Sequence, residues 1–217
     1  MSNGTFDFNA LIKESKDVLV NPKSYFSTMK TSGGMTEPLI KAVIYGAIAG
    51  AIGFLWSLLK IGSVTGGMFG GALGIVAFIW SIIGAIIGLF IGGVILLIIS
   101  SICKGNTEFE ANVRVTAAVM VVLPISALLG FAGGINLYLG LIVSIAVSVF
   151  SLWLLYNGLI EALKSKPETT KIVMYVLVAV FVLIMLAGLG TKRKASKLMD
   201  EFNTPEMKEL IEDSKGE

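Results

Sequence analysis

Residues 80–97 read WSIIGAIIGLFIGGVILL, a stretch without a single charged side chain. At 1.5 Å of rise per residue, about 20 apolar residues cross a bilayer as a helix, and an ionised side chain at its centre costs roughly 2.5–3.5 kcal/mol. The stretch belongs to an uncharged run from 61 to 103, and three more such runs occupy 42–59, 115–160 and 172–191. The first and last runs hold one helix each. The third is long enough for two, and GFAGGIN at 130–136 places glycines beside an asparagine as a turn. It divides into helices near 113–130 and 137–160.

The run around the quoted stretch opens with Gly62, Gly66, Gly67, Gly70, Gly71 and Gly74. Each glycine weakens a helix by about 1 kcal/mol relative to alanine. The reading is an irregular or re-entrant connection over Ile61–Leu73, then one long helix over Gly74–Cys103. The expected fold is all-α: a polytopic membrane helix bundle of five transmembrane helices with a Gly-rich connection after the first. Splitting the run would give six crossings. The balance of Lys and Arg beside the spans slightly favours five, with the N-terminus inside.

Composition agrees. Of 217 residues, 55% are hydrophobic, only 15% are charged and 25 are Gly, and the mean hydropathy is +0.85. A soluble domain needs more charge to cover its surface. The absence of histidine removes the usual general base, the commonest metal ligand and the standard triads. A single cysteine, Cys103, excludes disulfides within the chain and cysteine-cluster zinc sites. At the end of a span it is also a weak palmitoylation candidate. The net charge of +2 offers nothing to nucleic acid. No catalytic residue, cofactor or metal ligand is expected.

Residues 1–37 form an expected cytosolic arm, residues 38–190 the membrane domain, and residues 191–217 a charged tail in which TPEMKELIEDSK begins a short helix at Thr204-Pro205. In the arm, Phe8, Leu11, Ile12, Ser15, Val18 and Leu19 fall on one arc at 100° per residue, and Asn21-Pro22 ends the helix. Pro22 opens a second one bearing Tyr25, Phe26 and Met29. These apolar side chains suit either the membrane surface or the cytoplasmic end of the bundle.

Helix packing has the clearest spacing. Gly84, Gly88 and Gly92 recur every four residues, as do Gly46 and Gly50 in the first span and Gly140, Ser144 and Ser148 in the fourth. Seams of this kind either pack helices within a chain or join copies of it. Pro124 has no amide hydrogen for the Met120 carbonyl and predicts a kink. No Asp, Glu, Lys or Arg falls well inside an expected span, and Lys41 sits where snorkelling is easy. Trp56, Trp80, Trp153 and Tyr156 suit aromatic belts.

The segment 104–163 carries Gly105 and Phe109 before a span, Pro124 in mid-span, a Gly-rich turn and then SLWLLYNGLIEAL with Trp153 and Gly158. Earlier, NPKSYFSTMKTSGGMTEPLIKA at 21–42 leads through Pro22, Phe26 and Pro38-Leu39 into the first span. Together these resemble the YIP-domain family, the Ypt/Rab-interacting membrane proteins and their prokaryotic relatives, over roughly residues 18–190. The resemblance implies five membrane helices, a cytosolic N-terminus and no catalysis, with Rab binding and early secretory trafficking in eukaryotic members. This chain has no DLYGP-like motif, a short arm, and AAVMVV at 117–122 where a tyrosine often precedes the mid-span proline. It is therefore expected to be a prokaryotic-type member in a cell membrane, acting as a scaffold or adaptor. Its expected partners are the lipid bilayer, a second copy, or a protein docking on the arm. The competing reading is a channel or small-solute transporter that uses the Gly-rich segment and the Pro124 kink.

Overall fold

The computed structural model describes residues 7–59 and 70–202, with side chains for 7–59, 75–136 and 138–184. Every regular element among them is helical. The elements are α1 (Phe8–Val20), α2 (Pro22–Thr28), α3 (Thr36–Leu58), α4 (Gly70–Ile102), α5 (Phe109–Val119), α6 (Val122–Leu129), α7 (Ala132–Ile135) and α8 (Leu137–Asn157). A π-helical turn, Gly158–Ala162, and α9 (Pro167–Phe202) follow. The chain divides into two compact units between Met174 and Tyr175.

Among the described residues, five segments are long and apolar enough to cross a membrane: Thr36–Leu58, Ile75–Ile102, Phe109–Ile135, Tyr138–Ala162 and Pro167–Ile184. The five-span expectation is met. Along α4, Ile79, Ile83, Ile87, Ile91 and Ile98 are exposed. Such a surface is a liability in water and an ordinary boundary in hydrocarbon.

Two boundaries move. Residues 70–73, expected to be irregular, are the first turn of α4. The rest of the Gly-rich connection, 60–69, lies outside the described residues, and so does the expected tail helix after residue 203. At the other end, α9 continues past residue 191 to Phe202. TKRKASKLMDE contains no Gly or Pro and is rich in helix formers, so charge ends the membrane span without ending the helix.

The third span is built from α5, α6 and α7. Pro124 cannot donate to Met120, and the Met120 carbonyl instead accepts from the Leu123 amide at 2.9 Å. The α-helix breaks at Met120-Val121 as a result. Trp56 steadies this kinked span by donating its indole N–H to the Ala127 carbonyl at 3.0 Å, with its ring 5.7 Å from that of Phe131. Asn136 caps α8, its Oδ1 accepting from the amides of Tyr138 at 2.8 Å and Leu139 at 3.3 Å.

The core of the first unit centres on Ala42, Leu89, Val113 and Ala117. Three of these four are small or β-branched, which lets α3, α4 and α5 approach closely. The α5–α8 end is closed by two short connections that bond to each other. The Asn106 amide donates to the Leu163 carbonyl at 2.7 Å and the Lys166 amide to the Cys103 carbonyl at 2.9 Å. Lys104 and Lys164 each take a left-handed conformation there, with φ of 57° and 55°, a costly geometry for a residue with a Cβ.

Candidate functional site

The bundle end that carries α1 and α2 holds a chain of buried charge. Lys41, one turn into α3, is only 6% exposed, and its Nζ lies 2.7 Å from both Glu14 Oε2 of α1 and Glu37 Oε1 of its own helix. The other oxygen of Glu37 is 3.0 Å from Arg114 Nη1. Arg114, equally buried on α5, pairs through Nε with Glu110 at 3.1 Å and donates from Nη2 to the Gly34 carbonyl at 2.9 Å. Glu110 accepts the Gly34 amide at 2.6 Å. The α2–α3 loop is thereby fastened to α5, and Gly33 and Gly34 reach that position with φ of 130° and 92°, which other L-residues rarely adopt.

The network works because each of its two buried cations, Lys41 and Arg114, has more than one partner. A buried ion left alone is expensive, whereas a paired and hydrogen-bonded one is tolerated. Tyr45, also buried, donates its hydroxyl to Ser15 Oγ at 2.8 Å. Burial pushes the Tyr25 hydroxyl up to about 12, against the opposing pull of the Lys41 ammonium. By comparison, the Lys23–Glu161 contact at 3.9 Å is a surface pair and contributes little.

None of this was expected of Lys41 as a snorkelling residue, and Arg114 was not singled out. The signal was present: Glu37–Lys41 and Glu110–Arg114 are both i,i+4 pairs. What the spacing could not reveal is that two such pairs on different spans share Glu37.

The arm is divided between two environments. Leu11 and Val18 are buried, Leu19 is half-buried, and Phe8 and Ile12 are 54% and 57% exposed. Phe26 does not reach outward: it is fully buried, against Gly158 of the π-helical turn, because Pro22 turns α2 back over the bundle. Tyr25 is half-buried beside it.

The glycine seams are only partly where the spacing puts them. A Cβ on Gly46 would lie 2.7 Å from Ala85 Cβ and 3.0 Å from the Ser81 carbonyl, and one on Gly50 would strike the Ser81 hydroxyl. One on Gly92 would meet Thr116 at 2.8 Å. Gly84 and Gly88, by contrast, face open space. The packed face of α4 is the neighbouring one, through Ala85, Leu89 and Gly93, where Gly93 meets Val113. The reason is steric: Ala85 of that face nests against Gly46 of α3, while Gly93 of the same face admits Val113 of α5, so each contact needs glycine on one helix only. Gly140 packs on the Gly133 backbone at the turn, Ser144 is exposed and Ser148 is half-buried, so these three form no continuous seam. Cys103 is fully buried, which removes it as an acylation site in this conformation.

Gly84, Gly88 and Gly92 instead line a cavity of about 680 Å³ between α3, α4, the kinked third span and α8. Ser81, Thr116 and Ser151 contribute hydroxyls to it. Thr116 and Ser151 are each bonded to a carbonyl in their own helix, of Asn112 and Val147, and Ser81 shares its hydrogen between the Phe78 carbonyl of its own helix and the Gly46 carbonyl of α3. None of the described lining residues is charged. Among the described residues no group of three or more Cys, Asp or Glu side chains is arranged to hold a metal ion.

No match to the chain was found among curated proteins or solved structures. A family model does match: that of the Yip1 domain, over residues 16–189. That range takes in Lys41, Arg114 and the cavity, and begins within α1. With five membrane-length helices and a match across most of its length, the chain belongs to the Yip1-domain family of multi-pass membrane proteins.

Proposed function

We propose that the protein is a noncatalytic scaffold or adaptor that organises membrane from a cell membrane of prokaryotic type, with its N-terminal end in the cytoplasm. The observation that carries this reading is the segregation of charge. Buried ion pairs gather at one end of the bundle, around Lys41 and Arg114, and the cavity among the spans has no charged residue in its described lining. Gradient-coupled transport uses ionisable groups along the path, and ion conduction uses rings of carboxylates or carbonyls to replace hydration. The ionic end instead fastens α1, α2 and the α2–α3 loop into one platform at headgroup level. Phe8 and Ile12 face outward from it for contact with lipid or an apolar partner. A second copy or a docking protein is the expected protein partner.

The transporter reading draws on one feature, the cavity beside the Pro124 kink. Purified protein in liposomes separates the two readings. The scaffold reading expects no ion conductance or proton-driven uptake above empty vesicles. Reproducible single-channel currents altered by Pro124→Ala would overturn it.

A further inference from the structure

The contacts that hold α1 differ from those that hold α2 and the following loop. Lys41 is held by Glu14 of α1, but equally by Glu37 one turn away in its own helix, each at 2.7 Å. Ser15 accepts from Tyr45 at 2.8 Å while donating to the Leu11 carbonyl within α1 at 2.7 Å. If α1 departs, Lys41 keeps a carboxylate, Ser15 keeps its acceptor, and Glu14, already 40% exposed in its side chain, becomes hydrated. Tyr45 is uncovered to water by the same movement. No buried ion is orphaned, which is the usual reason a buried pair resists opening.

The next segment has no such freedom. Phe26 is fully buried, and Arg114 grips the loop at Gly34. The boundary between the two is Asn21, whose backbone leaves the helix at φ −139° and ψ 61°. On α1 itself, the apolar arc is split: Leu11 and Val18 face the bundle, while Phe8 and Ile12 do not. Lys13 and Lys16 flank it and are exposed. An arc of that composition is suited to the bilayer interface over its whole width.

We infer that α1 is a releasable strap that swings about Asn21 between the bundle end and the lipid surface, uncovering Lys41 and Tyr45 when it leaves. The inference does not depend on the scaffold reading, because it concerns the contacts of α1 alone. Released, the strap places Leu11 and Val18 in lipid beside Phe8 and Ile12. The Glu37–Arg114 pair and the α2–α3 loop stay in place.

The test uses the full chain in phosphatidylcholine–phosphatidylglycerol vesicles, with spin labels at Lys13 and Thr107 in a Cys103→Ser background; both labelled positions are exposed. Wild type should show a short and a long distance. Glu14→Gln with Ser15→Ala should raise the long population about fivefold, at an unchanged unfolding midpoint of the bundle. Phe8→Asp with Ile12→Asp should return the population to the short distance, since those side chains contact lipid and not the bundle. A single distance in all samples would overturn the strap. So would a long distance that appears only when the bundle unfolds, and a ratio indifferent to the Phe8 and Ile12 changes would overturn the lipid surface as its second seat.

Discussion

Gly46→Ala and Gly88→Ala make the same chemical change on two facing spans and should move stability in opposite directions. On α3, the new methyl of Gly46→Ala would sit 2.7 Å from Ala85 Cβ, 3.0 Å from the Ser81 carbonyl and 3.2 Å from Ile82 Cα. Carbon atoms rest at about 3.5–4.0 Å, so α3 and α4 must separate by roughly 1 Å along that line. Two of the three obstacles are backbone and cannot rotate away. Overpacking of this kind costs about 1–3 kcal/mol. The separation also stretches the Ser81–Gly46 hydrogen bond, 2.9 Å long and worth about 0.6 kcal/mol between membrane helices. Alanine's better helix propensity returns about 1 kcal/mol. The net expectation is a loss of about 2 kcal/mol.

At Gly88 the ideal Cβ meets nothing within 4 Å. Only the propensity term remains, so Gly88→Ala should be neutral or stabilising by up to about 1 kcal/mol. Reversible unfolding of the detergent-solubilised protein by sodium dodecyl sulfate, followed by far-ultraviolet circular dichroism, reads both changes on one scale. Equal midpoints for the two variants, or a lower one for Gly88→Ala, would refute the assignment of the packed face of α4. The four-residue spacing puts both positions in packing seams; the geometry keeps Gly46 against α4 and leaves Gly88 facing the cavity.

Arg114→Ala should lower stability by about 3 kcal/mol, the low end for breaking a buried pair, because Glu37 keeps Lys41 and Glu110 keeps the Gly34 amide. A loss under about 1 kcal/mol in the same unfolding assay would show that the network is not a fastening. Burial holds Tyr25 neutral in the fold up to about pH 12, against 10.0 for an ordinary phenol. Its contribution is complete below pH 10 and declines as pH rises through 12. Tyr25→Phe should flatten that alkaline step, and superimposable pH–stability profiles would contradict it. Gly105→Ala would press a methyl against the Ser100 and Ser165 hydroxyls and the Leu163 carbonyl. It should part the two end connections and speed maleimide labelling of buried Cys103 at least tenfold; unchanged labelling would mean the connections do not depend on that close approach.

The spans were readable because exclusion of charge from hydrocarbon acts residue by residue. Each of the five apolar segments therefore announces itself wherever it sits in the bundle. Pro22 at the start of α2 and the division of the third run at Asn136 were readable for a similar reason, since a proline or a turn residue acts on its nearest neighbours, although residues 132–135 of the expected turn form α7. The packing face of α4 was not. Gly84, Gly88 and Gly92 form one four-residue ladder, and Ala85, Leu89 and Gly93 form another only 100° away. Spacing alone cannot choose between them, because the choice depends on which face of α3 and α5 is opposite.

The same division runs through the charged end. The amino-acid sequence by itself determined an all-helical chain of five spans with an amphipathic arm, together with the i,i+4 spacing of Glu37–Lys41 and Glu110–Arg114, because all of these are properties of one helix and its solvent. Only the tertiary structure decided that Glu37 joins Lys41 to Arg114, that Glu14 reaches in from α1, and that Phe26 faces protein and not lipid. Those contacts bridge residues far apart in the chain. Burial of an ion is favourable only after several elements have converged to supply its partners, and no local pattern records that convergence.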